Sequence, residues 1–266
     1  ISVWHICEAD GHGFFAQRAK KRMQNSVVSA LAGGANGQTE RKKKQRKYKQ
    51  RWGFLHIRCF QHSLLVIMSE LKKKIFIEVA QTAKFLDLSV FVVGGFVRDQ
   101  LLNRDYLQDF DFVVEGSGLS FAKVFSERLG ESRGSLVEFS DFDTARFVFN
   151  AEKEFAGVEV EFAGARSETY QPHSRKPKVI EATLLQDLSR RDFTVNAMAR
   201  QVLENGELGE IIDPLGGQND LSAKLIKTPL DPNKTFSDDP LRMMRAARFA
   251  AQLDFFIDPT VLLAME

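Results

Sequence analysis

The sequence is poor in cysteine and has few tyrosines and tryptophans. Its two cysteines, Cys7 and Cys59, are too few for a disulfide framework or a cysteine-rich zinc site, so a reducing compartment, the cytoplasm, is expected. The apolar segment 54–68 is interrupted by His56 and Arg58 and is too short to span a bilayer, so no membrane partner is expected. These shortages argue against a secreted disulfide scaffold and a transmembrane protein.

Phenylalanine, in contrast, occurs 23 times, and 44% of the 266 residues are hydrophobic. This length and composition allow one large or two modest domains with a sizeable core. Acidic residues are scarce only at the start of the chain. Residues 1–67 contain 13 Lys and Arg but 3 Asp and Glu, whereas residues 68–266 contain 24 and 32. Such an asymmetry indicates two parts with different roles or histories.

The basic part, residues 1–67, has weak periodicity and contains the run RKKKQRKYKQR at 41–51. Three interpretations are open: an RNA-binding arm, a targeting tail, or sequence that precedes a start at Met68. The last is favoured, and we expect this extension to be disordered. The pattern after residue 258 is that of a helix that has only begun, so we expect a truncated chain.

From Met68 onward, helical and strand periodicities alternate. The pattern predicts an α+β fold: a small mixed or antiparallel sheet with helices over 68–203, followed by an incomplete all-α neck over 204–266. Residues 168–180 are expected to form a mobile loop. A helix is expected to begin near Asp192–Thr194, and another is expected over 238–253 after a linker at 228–237.

Two aspartates occupy alternate positions of the predicted strand DFDFVVE. Asp109 and Asp111 therefore share one face, and Phe110 and Phe112 the other. Two adjacent carboxylates repel unless a cation lies between them, and Mg²⁺ prefers such oxygen ligands. A solvent-exposed edge strand is the alternative interpretation of this pattern.

A glycine turn precedes these aspartates by about fourteen residues. Gly94 and Gly95 follow a buried strand, where backbone N–H groups can approach an anion, and Arg98 lies one helical turn further on. A Gly-Gly pair alone is more often a plain tight turn. Together with the aspartates it predicts a phosphate cradle beside a metal-binding pair, as nucleotidyl transfer requires.

Two further clusters are rich in arginine. In SRRDFTVNA, the arginines can grip phosphate and the Asp and Asn can hold ribose hydroxyls, although a capped helix start explains the pattern equally well. In DDPLRMMRAARF, an aspartate and an arginine lie one helical turn apart and together offer a hydrogen-bond acceptor and the paired donors of a guanidinium. Three arginines of this segment form one stripe, which favours an anionic partner. A surface stripe with an ion pair is the alternative. The two clusters comprise Arg190, Arg191, Asp192 and Asn196, and Asp239, Arg242, Arg245 and Arg248.

With these motifs, residues 92–256 resemble the bacterial class II CCA-adding tRNA nucleotidyltransferases and their poly(A) polymerase relatives, of the polymerase-β-like nucleotidyltransferase superfamily. The matching segments, in the order of the family, are VGGFVRDQLL, DFDFVVEG, EFAGARSETY, RRDFTVNAMA, IIDPLGGQNDL and DDPLRMMRAARFA. Residues 1–67 match nothing in the family.

The resemblance implies template-independent addition of CCA to the tRNA 3′ end, with ATP and CTP as substrates and two Mg²⁺ ions. It implies that Asp109 and Asp111 hold the metals, with Glu161 as a possible third carboxylate. The family roles of the remaining residues concern the nucleotide. The triphosphate would be contacted by Gly94, Gly95 and Arg98. Phosphate and ribose would be bound by Arg190, Arg191, Asp192 and Asn196. The base edge would be read by Asp239 and Arg242, and the rest of the pocket would be formed by Arg245 and Arg248.

The chain also departs from the family pattern. Asp238 stands where relatives carry Glu, and the loop DFDTA lacks a glycine that relatives often have. The motifs are shared by CCA-adding, A-only, CC-only and poly(A)-adding enzymes, so these alternatives stay open, as does an inactive nucleotide- or RNA-binding fragment. The oligomeric state is not predicted.

Overall fold

The computed structural model describes residues 70–104, 109–150, 158–169 and 178–266, all within one compact unit. The predicted extension at 1–67 and most of the predicted loop at 168–180 lie outside the described residues. The helices are α1 (70–86), α2 (Gly95–Leu101), α3 (Gly118–Leu129), α4 (Leu184–Ser189), α5 (Gly217–Ser222), α6 (Pro232–Asp238), α7 (Leu241–Leu253) and α8 (Pro259–Leu263).

Eleven strands accompany these helices in the described part of the chain. They are β1 (Val90–Val93), β2 (Asp109–Val114), β3 (Gly134–Phe139), β4 (Thr144–Phe149), β5 (Glu159–Gly164), β6 (Arg166–Thr169), β7 (Lys178–Glu181), β8 (Ala199–Val202), β9 (Leu208–Ile212), β10 (Leu225–Ile226) and β11 (Phe256–Ile257).

Seven strands form one mixed sheet in the order β3-β4-β5-β2-β1-β8-β9. Neighbouring strands are antiparallel except β2 and β5, which are parallel. The predicted α+β class with a mixed sheet is confirmed. Strand β9 extends the sheet past residue 203, the expected end of the head, while the boundary itself stays a prediction. None of the described helices is long and apolar enough to cross a membrane.

The two faces of the sheet are covered to different extents. One face carries the phenylalanine-rich core under α1 and α3, where Phe110 and Phe112 pack with Phe76, Phe121 and Phe162. On the opposite face, α4 packs Leu184 and Leu188 near Val113 at the end of β2. The start of β2 on this second face therefore stays open, and its side chains can be polar without disturbing the core.

Several local predictions were wrong. The helix expected from Asp192–Thr194 is a single 3₁₀ turn, Thr194–Asn196, followed by strand β8. Pairing with β1 on one side and β9 on the other overrides the helix-like spacing of the apolar residues. The expected linker 228–237 contains helix α6, and the expected helix 238–253 begins only at Leu241.

A second, smaller core holds the C-terminal part together. Phe193 and Val195 pack with Ile226, Phe249 and Leu253, and Leu101 at the end of α2 lies against them. The short parallel pair β10–β11 lies among these helices. Since α2 follows the Gly94–Gly95 turn directly, this core places α7 near the start of β2.

Candidate active site

The two aspartates of β2 project from the open face of the sheet. Asp109 and Asp111 are exposed, whereas Phe110 and Phe112 between and after them are buried. Strand β2 lies in the interior of the sheet, between β1 and β5, which rejects the edge-strand interpretation. The carboxylates are thus held on a rigid strand that is paired on both sides.

Two glutamates on β5 stand beside these aspartates. Parallel pairing aligns Asp109 with Glu159 and Asp111 with Glu161. Arg146 on β4 forms ion pairs with both glutamates, with its Nη1 at 3.2 Å from Glu159 and its Nη2 at 2.9 Å from Glu161. Glu161 is engaged by Arg146, and its role as a third carboxylate stays a prediction. Among the described residues, no group of three or more His, Cys, Asp or Glu is arranged to hold a metal.

The pKa of Asp111 lies above the ordinary range for an aspartate. Desolvation by the surrounding protein raises it most, Arg191 opposes this rise, and the charges of Glu161 and Asp109 add to it. Asp111 still reaches solvent through the mouth of a cleft. A carboxylate in this setting is poised to gain from a bound cation, which would stabilise its charged form.

The backbone of Gly94 approaches the aspartates closely. Gly94 has φ of 71° and ψ of −132°, a combination that is almost restricted to glycine. A Cβ atom at this position would lie 3.4 Å from Nη1 of Arg191 and 3.7 Å from Oδ2 of Asp111. The glycine turn therefore opens a space that an arginine and a candidate metal ligand both face.

Arg98 is buried and tightly held. Its Nε and Nη2 donate to the two carboxylate oxygens of Asp99, at 2.9 and 2.8 Å, and its Nη1 donates to Oδ1 of Asn196 at 2.7 Å. Consecutive helical residues do not normally face each other, so a two-pronged pair between Arg98 and Asp99 is unusual. The side chain lines the same cleft as Asp109 and Asp111.

The two arginines of the RRD motif converge on one buried acid, Asp187 of α4. Oδ1 of Asp187 accepts from Arg190 and Oδ2 accepts from Arg191. Burial by itself would raise the pKa of Asp187, but Arg191 and Arg190 outweigh it and hold this pKa below its ordinary value. Sequence reasoning missed Asp187, although its spacing of three and four residues from the arginines is a usable signal.

Asp192 joins the sheet to helix α7. Its Oδ1 accepts from the backbone N–H of Phe193 and from Nδ2 of Asn196, and its Oδ2 accepts from Nε of Arg245 at 2.7 Å. The carboxylate is 8% exposed. A polar chain therefore runs from Arg98 through Asn196 and Asp192 to Arg245.

Helix α7 begins after a break at Asp239 and Pro240. Asp239 is extended, with φ of −145° and ψ of 100°, and its Oδ1 accepts from the backbone N–H of Leu241. Proline disfavours helical geometry in the residue before it, which explains why α6 and α7 are separate. Helix α7 accordingly begins at Leu241, with Pro240 as its N-cap, three residues after the start expected at 238.

Two arginines of the α7 stripe, Arg245 and Arg248, lie over the ring of Phe249. The guanidinium carbons of Arg245 and Arg248 lie 5.4 and 4.7 Å from the centre of its ring, and that of Arg98 lies 5.4 Å away. Cations over an aromatic face are attracted by its π electrons. The ring thus gathers three positive charges at one end of the cleft.

Two clefts lie next to each other in the described structure. Both are lined by Asp111, Arg191, Asp192 and Arg245, which form a shared wall. The larger, of about 940 Å³, contains both β2 aspartates, the Gly94–Gly95 turn, Arg98, Asn196 and Arg248. The smaller, of about 460 Å³, contains Arg190, Asp239 and Arg242. The structure therefore brings together all thirteen residues that the sequence predicted for the site, while their individual roles stay predictions.

The β2 aspartates fit a magnesium site of the kind that a substrate completes. Mg²⁺ is commonly bound by one or two carboxylates together with substrate phosphates and water. Asp109 and Asp111 supply the two carboxylates, and the Gly94 turn leaves room beside Asp111 that Nη1 of Arg191 also borders.

Residues 90–227, just over half of the chain, match the poly(A) polymerase head domain family. An A-adding tRNA nucleotidyltransferase of Aquifex aeolicus (strain VF5) is 43% identical over 169 residues, which are 63% of this chain and 19% of that protein. The alignment with this relative is longer than the region of the chain that matches the family model.

Solved structures are similar as well. A CCA-adding enzyme in an apo form has 36% identity and a TM-score of 0.61, over 73% of this chain and 43% of its own. A tRNA nucleotidyltransferase complexed with a primer tRNA and an incoming ATP analog has 37% identity and a TM-score of 0.57, over 70% and 48%. The chain thus spans less than half the length of each of these proteins.

Proposed function

Because the chain belongs to the poly(A) polymerase head domain family, as its motifs predicted, we propose that it is the catalytic part of a tRNA nucleotidyltransferase that adds CCA without a template. The observation that carries the proposal is one cleft that holds both the Asp109–Asp111 pair and the Gly94–Gly95 turn with its arginines. Carboxylates for metal and donors for phosphate are the two requirements of nucleotidyl transfer.

The proposed reaction joins the 3′ oxygen of the RNA to the α-phosphorus of ATP or CTP and releases pyrophosphate. Two Mg²⁺ ions held by Asp109 and Asp111 would favour ionisation of the attacking hydroxyl and neutralise charge on the leaving group. Gly94, Gly95 and Arg98 orient the triphosphate in the larger cleft. Asp239 and Arg242 in the smaller cleft read the base edge.

The shared wall supports this division of labour. A nucleotide with its phosphates beside Gly94 and its base beside Asp239 passes Arg191 and Asp192, which line both clefts. The ribose then lies next to Asp192 and Asn196, whose polar atoms are fixed by neighbours. Each part of the substrate thus faces groups of matching chemistry.

Addition of A alone is the second candidate. The relative from Aquifex aeolicus, at 43% identity, carries the name of an A-adding enzyme. The residues that line the two clefts suit either nucleotide, because phosphate and ribose contacts are common to ATP and CTP.

The experiment that separates the candidates uses tRNA transcripts ending before CCA and after CC, with labelled CTP or ATP and Mg²⁺. A CCA-adding chain incorporates CTP into the first and ATP into the second. An A-adding chain incorporates only ATP, and only into the second. Incorporation of neither nucleotide by the chain or by its full-length form would contradict the proposal.

A further inference from the structure

The buried acid of α4, Asp187, has a role that neither the motifs nor the family resemblance assigns. Its side chain has no exposed surface, while those of Arg190 and Arg191 are about one-fifth exposed. An ionised carboxylate is costly to bury unless it is paired and hydrogen-bonded. Asp187 meets this condition only because both arginines turn toward it.

The geometry of the contact fixes each guanidinium by one edge. Arg191 donates from Nε at 3.1 Å and from Nη2 at 3.0 Å, both to Oδ2 of Asp187. Arg190 donates from Nε at 3.1 Å and from Nη2 at 2.5 Å, both to Oδ1. Nε of Arg190 also donates to the backbone oxygen of Arg166. The carboxylate of Asp187 thus binds two neighbouring arginines, one through each of its oxygens.

The opposite edge of Arg191 faces the cleft. Its Nη1 is not hydrogen-bonded to Asp187. This atom is the nearest one to the position that a Cβ of Gly94 would occupy, and Oδ2 of Asp111 borders the same space. A planar guanidinium that is held by its Nε and Nη2 cannot rotate Nη1 away. Asp187 therefore determines where the positive charge of Arg191 stands relative to Asp111.

Helix α4, which carries Asp187, is held in place by its N-terminal cap and by its packing against the sheet. Oγ1 of Thr183 accepts from the backbone N–H of Gln186, and the backbone N–H of Thr183 donates to Oε1 of Gln186. Leu184 and Leu188 are packed against the sheet. The acid therefore sits on a fixed support one turn before the arginines. Two adjacent guanidiniums without a shared acid would repel each other and spread.

From these contacts we infer that Asp187 is a positioning residue that aims Arg191 at the phosphates of a nucleoside triphosphate without touching the nucleotide. The inference rests on the proposed function, since it concerns the same cleft. A positioning role differs from a purely stabilising role, because it predicts that replacing Asp187 lowers nucleotide affinity only when Arg191 is present.

The test is equilibrium binding of ATP with Mg²⁺, by calorimetry, to the whole chain and to Asp187→Asn, Arg191→Ala and the double variant. Asp187→Asn should weaken binding about tenfold or more, as expected for a misplaced charge-assisted hydrogen bond. In the Arg191→Ala background the same change should weaken binding less than threefold. Equal effects in both backgrounds, or no effect in the first, would overturn the inference.

Two further variants keep the test decisive if Asp187→Asn fails to fold. Arg191→Lys keeps the charge but cannot bind Asp187 and the cleft at once, so it should also weaken ATP binding about tenfold. Unchanged binding by this variant would contradict the inference. Asp220→Asn is the matched control, because Asp220 accepts from Thr194 beside the same motif but lines neither cleft, and its binding should equal that of the wild type.

Binding and transfer separate this inference from the proposed function. A chain that binds ATP but never extends tRNA would count against the proposed function, while the comparison of the variants would still decide the role of Asp187. A chain that transfers nucleotides, with Asp187→Asn as active at low ATP as the wild type, would contradict only the inference.

Discussion

At the residue scale, the site depends on a few side chains and one glycine held in demanding positions. Period-two alternation was enough to predict that Asp109 and Asp111 share a face, because a strand offers only two faces. Asp187 was not predicted, although its spacing from the two arginines was a signal, because its burial is visible only in the fold. Asp192 was predicted from its motif, but its link to Arg245, which spans 53 residues, was not.

Gly94→Ala should lose ATP binding, because the new Cβ would lie between Arg191 and Asp111 in a backbone conformation that alanine rarely adopts. The strain should also lower the free energy of unfolding by about 1–3 kcal/mol. Denaturant melts and ATP titrations measure the two effects.

Gly130→Ala is the control for this strain. Gly130 also has a positive φ, of 82°, but its Cβ would meet nothing within 4 Å and it lines neither cleft. It should lose similar stability and keep its ATP affinity. Similar losses of affinity in both variants would show that the effect of Gly94→Ala is one of general stability.

The low pKa of Asp187 makes a prediction about stability and pH. A carboxyl whose pKa is depressed by folding contributes stability that is complete above its unfolded pKa, near 4, and is lost as the pH falls through the folded pKa. The difference in melting temperature between the wild type and Asp187→Asn should therefore be constant from about pH 7 to pH 5 and should shrink only in stronger acid. A difference that vanishes already at pH 5 would contradict the depressed pKa.

At the element scale, the break between α6 and α7 places Asp239 in the wall of the smaller cleft. The signal was present in the sequence, because Pro240 disfavours helix at Asp239. The expectation of one helix over 238–253 placed the proline inside the first turn instead of before it. Strand β8 was missed for another reason: VNAMARQV has helical apolar spacing, and only its pairing partners, far away in sequence, make it a strand.

Pro240→Ala should therefore let α6 and α7 join and draw Asp239 into a helix. We expect slightly higher helicity by circular dichroism and about tenfold weaker ATP binding through loss of the base-edge contact. Pro259→Ala, at the first turn of α8, changes a comparable helix start away from both clefts and should bind ATP normally. Equal affinity in Pro240→Ala and the wild type would show that the break does not serve recognition.

At the scale of the whole molecule, the head sheet and the small C-terminal core bring residues from positions 94 to 248 to one place. Sequence motifs predicted which residues belong together, since each motif carries its own chemistry. They did not predict that two clefts meet along a common wall, because that arrangement depends on packing of α7 against the end of α2.

Among the residues that the structure describes, those that line either cleft all lie at position 72 or later. A chain that begins at Met68 should therefore bind ATP with the affinity of the whole chain, within about twofold, when both are titrated with Mg²⁺ under one salt condition. A loss of tenfold or more on removal of residues 1–67 would show that the basic segment takes part in nucleotide binding.

The metal-binding role of the β2 aspartates can be measured as nucleotide incorporation into tRNA by Asp111→Asn and Asp109→Asn, with Glu159→Gln as the control. Each variant removes one negative charge from adjacent strands of the same sheet, but only the aspartates line the larger cleft, and Glu159 is paired with Arg146. We expect both aspartate variants to fold and to lose transfer by at least about a thousandfold, while Glu159→Gln remains active. Near-normal transfer by either aspartate variant would contradict the assignment of this pair as the metal-binding centre.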